Sequence, residues 1–179
     1  MAVTISITES NVFNALRTFM LGILPAGVEI VQGQDNSVPE PQGPDFVEMT
    51  MISMPRLSTN EITYTDAGTN PGTRNAMQSI KARIQIDVHG PNSADNSAII
   101  STLFRDEYAC DAFAAVNPDI QPLYCEDPKQ MPFINGENQY EQRWIIDAAI
   151  QYNAVTAVPQ DFADTLDVNI VSVDAQYPA

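Results

Sequence analysis

Residues Lys81 to Ala114, KARIQIDVHGPNSADNSAIISTLFRDEYACDAFA, decide the fold. At their start Ala82, Ile84, Ile86 and Val88 alternate with Arg83, Gln85, Asp87 and His89. A period of two puts the apolar set on one face of a strand and the polar set on the other. Gly90-Pro91-Asn92 ends that strand, because Pro lacks a backbone donor and Gly permits a sharp reversal. Asn92 or Ser93 is placed to cap the next helix, and Asp95 in its first turn suits the helix dipole. Ile99, Ile100, Leu103, Tyr108 and Phe113 then recur at roughly helical spacing. This predicts one long helix, with Cys110 in the core. A half-buried strand therefore feeds a helix that packs back on the sheet, and other apolar strands must join this unit.

Towards the N-terminus, Thr4 to Thr8 is a short polar lead. From Thr8 to Leu24, the stripe Val12, Phe13, Leu16, Met20, Ile23 and Leu24 predicts a helix capped by Thr8 or Ser10. Val28 to Val31 is a short strand, and Gly33 to Pro44 a turn-rich loop. Asp45 to Met54 reads as a strand with imperfect alternation, Arg56 to Asn60 carries no pattern, and Glu61 to Thr65 is a brief strand. Asp66 to Asn75, DAGTNPGTRN, has no core-forming residue beyond an alanine, which predicts an exposed hairpin tip or a flexible arm.

Towards the C-terminus, Asn117-Pro118-Asp119 stops the helix and Ile120 to Cys125 is a brief strand. Glu126 to Gln139 holds three turn signals, Asp127-Pro128, Met131-Pro132 and Asn135-Gly136. Tyr140 to Val155 is the longest strand, with Trp144, Ile146, Ala148, Ile150, Tyr152 and Ala154 on one face. A short helix over Pro159 to Leu166 and a strand over Asn169 to Ala175 close the chain. The order predicts an α+β fold, a mainly antiparallel sheet packed by two main helices, in one domain spanning 1–179.

The net charge is −15, with only 8 Lys and Arg. Such a surface does not grip nucleic acid by neutralising phosphates, although DNA can pass it without sticking. No stretch approaches the ~20 apolar residues of a membrane span, and Phe19 to Leu24 lacks the basic run of a signal peptide. Cys110 and Cys125 are the only cysteines, which suggests reduced thiols in a cytoplasmic setting.

Catalytic patterns are sparse. His89, the one histidine, stands near Asp87 and Asp95, the arrangement of a base oriented by a carboxylate; the plainer reading is a turn histidine bonded to backbone. There is no nucleophile elbow, phosphate loop, dinucleotide fingerprint or calcium-loop spacing, and one histidine does not build a multi-imidazole zinc site. No cofactor is expected. A hydrolase using His89 and a monomeric binding module stacking a ligand on Trp144 stand as alternatives, but the period of two puts Trp144 on the apolar face. Met131, Pro132, Phe133 and Ile134 form an apolar run between turns, either folded on their own domain or filling a neighbour's pocket.

Four blocks carry a family resemblance: FNALRTFMLGILPAGVEIVQGQDNSVPEP (Phe13 to Pro41), IDVHGPNSADNSAIISTLFRDEYACDAF (Ile86 to Phe113), PLYCEDPKQMPFINGENQYEQRW (Pro122 to Trp144), and VPQDFADTL with VSVDAQYP (Val158 to Pro178). The sequence resembles the phage neck or tail terminator proteins. The resemblance implies a tail-terminator-like α+β fold and assembly into a ring, commonly a hexamer. Such a ring caps the tail tube, joins it to the head connector and neck proteins, and lets phage DNA through its lumen. It implies a place in the virion, assembly in the bacterial cytoplasm, no enzymatic role and no membrane. The residues expected at subunit or neck contacts are Gln34, Asp35, Asn36, Pro39, Met131, Phe133, Ile134 and Asn135. Gly68, Asn70, Gly72 and Arg74 belong to the expected mobile arm.

Overall fold

The computed structural model describes residues 2–34, 41–68, 70–134, 138–163 and 167–168. Two 18-residue strands, β5 (Gly72–His89) and β10 (Arg143–Gln160), form its spine. They pair antiparallel without a register shift, from Arg143 opposite His89 to Gln160 opposite Gly72. Around them, in chain order, lie β1 (Thr4–Ile5), α1 (Glu9–Ile23), β2 (Glu29–Gln32), β3 (Phe46–Ser53) and β4 (Glu61–Thr65). After β5 come α2 (Ser93–Phe104), α3 (Glu107–Val116), β6 (Ile120–Cys125), β7 (Lys129–Gln130), β8 (Phe133–Ile134) and β9 (Tyr140–Glu141).

The main sheet runs β1-β10-β5-β3-β2, with β4 also on β5 and β6 and β7 also on β10; β8 and β9 make a separate pair. Only the β2–β3 pairing is parallel among those described. The fold is α+β with a curled, mostly antiparallel sheet, as expected. It differs at several points. Thr4 and Ile5 are not mere lead but an edge strand opposite Ala157 and Thr156. Pro159 and Gln160 extend β10 where a helix was expected, residues 161–163 are irregular, and the expected strand at 169–175 lies outside the described residues.

The alternation read from the sequence decides which face is covered. Ala82, Ile84, Ile86 and Val88 are buried with Ile146, Ala148 and Ile150 in one core cluster. The helices add Val12, Phe13, Leu16, Phe19, Met20, Ile100, Phe104 and Phe113 to it. Each helix gives one ring to a three-phenylalanine knot. Phe19 stands 5.9 Å from Phe104 and 5.8 Å from Phe113, and those two stand 6.0 Å apart. Edge-on and tilted pairs of this kind add about 1 kcal/mol each beyond their buried area.

The predicted long helix is two helices. Arg105 ends α2, and extended Asp106 caps α3, accepting from the Tyr108 N–H at 2.9 Å. The break turns Cys110 to solvent, correcting its core placement, and leaves Tyr108 half-exposed; Cys125 is buried, and both thiols are free. The inner face of α2 carries small polar residues. Ser97 and Ser101 donate back to the carbonyls of Ala94 and Ala98, which satisfies their buried hydroxyls.

Candidate functional site

Two surfaces are left over once the core is built. The first is the end of the sheet where β3 begins, β5 stops and β10 starts. Gly90 makes the reversal after β5 with φ +102°, and a Cβ there would collide with the Pro44 carbonyl oxygen. Asp45 pins the turn, accepting from the Asn92 N–H at 2.9 Å and its side-chain amide at 2.8 Å. Glu29 does the same for the preceding loop, accepting from the N–H groups of Gln42 (2.7 Å) and Gly43 (3.2 Å). The Gly90 N–H reaches the Gln142 carbonyl at 3.1 Å. Loops far apart in sequence thus frame a cleft of about 450 Å³ walled by Pro44, Phe46, Pro91, Tyr140 and Glu141.

His89 lies behind that wall, buried, with its ring stacked on Phe46 at 4.4 Å. The carboxylate nearest to its Nδ1 is Glu141, at 3.5 Å, while Asp87 acts on the ring from farther away. Burial lowers the His89 pKa and outweighs the upward pull of Glu141, while Arg143 lowers it and Asp87 raises it. Asp87 is engaged by Arg143 and Gln85. The histidine and its neighbours therefore brace the sheet end, and what faces solvent is a proline- and aromatic-walled recess.

The second surface is the sheet face opposite the helices. Glu48, Thr50, Arg83, Gln85, Asp87, Arg143 and Asp147 share it by register. Lys129 reaches it from β7, at 2.5 Å from Glu126 and 4.0 Å from Asp147.

The expected contact residues fall as follows. Gln34 turns the chain out of β2 with φ +59°. Met131 and Ile134 are exposed, and the β8 backbone at Phe133 pairs with Glu141, bringing this run beside the cleft. Asp35, Asn36, Pro39 and Asn135 lie outside the described residues. The expected arm is shorter than the sequence suggested. Gly68 is in the 66–71 turn with φ +72°, and Asn70 exchanges hydrogen bonds with the Phe162 backbone at 3.2 and 3.1 Å. Gly72 and Arg74 belong to β5, between β4 and β10, because backbone pairing on both sides needs no apolar side chain. Trp144 packs against the core. The residues missed by sequence reading are Glu141, Asp45 and Glu29, whose partners are set by tertiary structure; only the Pro/Gly punctuation around them signalled special turns.

Among the described residues, no group of three or more His, Cys, Asp or Glu is arranged to hold a metal, and no helix is long and apolar enough to cross a membrane.

A family model of phage neck terminator proteins matches residues 10–175. The chain belongs to the phage neck terminator protein family, and so to the structural proteins of the phage neck and tail. It is similar to the sheath/tube terminator of an extracellular contractile injection system, PVC, in the extended state, at 15% identity and a TM-score of 0.48. That likeness covers 96% of this chain and 65% of the solved chain. No curated protein matches the sequence.

Proposed function

We propose that copies of this chain close into a ring, six being the expected number, that caps the tail tube and offers the head connector a docking face. The observation that carries the reading is the family match across residues 10–175. Phage DNA passes the lumen without being gripped, which suits a net charge of −15. Residues 32–41 and 127–139 form subunit or neck contacts. The 66–71 tip orders against a neighbour on assembly. The chain acts by assembly and not by catalysis, in one domain, and is built into virions in the host cytoplasm.

Light scattering gives the mass of the purified protein, and negative-stain microscopy of the same sample gives its shape. A ring with a mass several times 19.6 kDa is expected. A strict monomer, alone and with tail tubes added, rejects the ring.

A further inference from the structure

Lys81 and Arg83 stand two residues apart on β5, on the sheet face opposite the helices, which spaces them about 7 Å along the strand. Lys81 Nζ lies 3.4 Å from the Tyr124 hydroxyl and 5.6 Å from the centre of its ring. Ala149 pairs with Arg83 on one side and Tyr124 on the other, so these three side chains share a patch with a small, buried centre. Arg105, Lys129 and Arg143 all have carboxylate partners; among the described residues Lys81 and Arg83, like Arg17, Arg56 and Arg74, have none within 4 Å, and Arg83 feels the Glu126 carboxylate only at longer range.

The helical layer carries the complement. Glu107 and Asp111 are exposed on α3, one turn apart, which separates them by roughly 6 Å. They too have no ion-pair partner among the described residues. Beside them Cys110, Ala114 and Ala115 are exposed and short, so a flat surface can approach the helix backbone closely. Two cations and two carboxylates without a carboxylate or cation partner within 4 Å thus have similar spacings on opposite layers of one subunit.

We propose that α3 of one copy lies on the open sheet face of the next, with Glu107 and Asp111 against Lys81 and Arg83. The proposal rests on the ring reading above and names the contact that closes it. It joins one patch to a different patch, the heterologous contact a cyclic ring needs. Arg and Tyr are also the residue types that dominate interface energetics. A DNA phosphate at the same two cations is the competing occupant, and the last arm of the test separates it.

The test uses two full-length charge reversals, Lys81→Glu with Arg83→Glu and Glu107→Lys with Asp111→Arg. Each is measured alone and in 1:1 mixture by light scattering, with circular dichroism as the folding check. Each alone should fall to monomer mass. The mixture should recover the wild-type oligomer, because reversed sheet meets reversed helix and the native pair closes the alternate contact. Lys81→Gln with Arg83→Gln is the milder variant, should the reversal misfold, and should weaken association roughly tenfold or more. Association that survives either reversal, or a mixture that does not recover, overturns the interface but spares the ring, which the wild type still forms. A wild type that never self-associates overturns both. Duplex DNA retained by wild type and lost only from the sheet variant, with self-association intact, reassigns the patch to phosphate and also overturns the proposal.

Discussion

Arg143 donates through Nε and Nη2 to one carboxylate oxygen of Asp87, at 2.8 and 2.6 Å, while Gln85 donates to the other oxygen at 2.8 Å. The pair ties β5 to β10 near the end of the sheet that carries the cleft. Asp87 is buried and Arg143 partly so. Asp87→Ala leaves a half-buried guanidinium with no acceptor and should cost about 3 kcal/mol in urea unfolding. Asp87→Asn keeps a carbonyl acceptor and should cost less. Equal losses from both would show that charge, not acceptor geometry, sets the cost.

His89 makes stability depend on pH. Burial lowers its folded pKa, against the pull of Glu141. The unfolded chain takes up a proton near pH 6.5 and the folded chain resists it. This contribution is therefore complete above about pH 6.5 and is lost as pH falls from there through the lower folded value. Thermal melts between pH 7.5 and 5 should show Tm falling in the wild type and a flatter profile in His89→Gln. Parallel profiles would remove His89 as the cause.

The Phe19, Phe104 and Phe113 knot joins the three helices. Phe19→Ala should destabilise by about 4 kcal/mol, a Tm drop of roughly 10 °C for a chain of this size. A drop under roughly 3 °C would mean that the helices are held mainly by the sheet.

The 66–71 tip and the Met131 to Ile134 run should affect assembly more than folding. Replacing residues 66–71 with Asn-Gly keeps the β4–β5 hairpin and should leave Tm nearly unchanged while lowering the yield of rings. Phe133→Asp should do likewise. Rings at full yield from either variant would clear that segment of a contact role.

Much of the fold was legible because one face of each long strand is apolar. The even-numbered residues from Ala82 to Val88 and from Trp144 to Ala154 announced the spine. The split helix was missed although a signal was present. Leu103 to Tyr108 is a step of five, which breaks the helical stripe, and Asp106-Glu107 reads as a cap and first turn. The outer half of β5, from Gly72, was illegible because both its neighbours are backbone partners and its side chains alternate without an apolar face. The sheet-end cleft was half legible. Its Pro and Gly turns could be read, but Glu141 facing His89 depends on β10 lying beside β5.

The most direct test removes the protein from its phage and measures tail length by electron microscopy. If this chain terminates the tube, particles assembled without it carry tails of uncontrolled length and no attached heads, and supplying the wild-type chain restores both. Headless tails of normal, uniform length would show that tube growth is stopped by something else and would reduce this chain to a joining part.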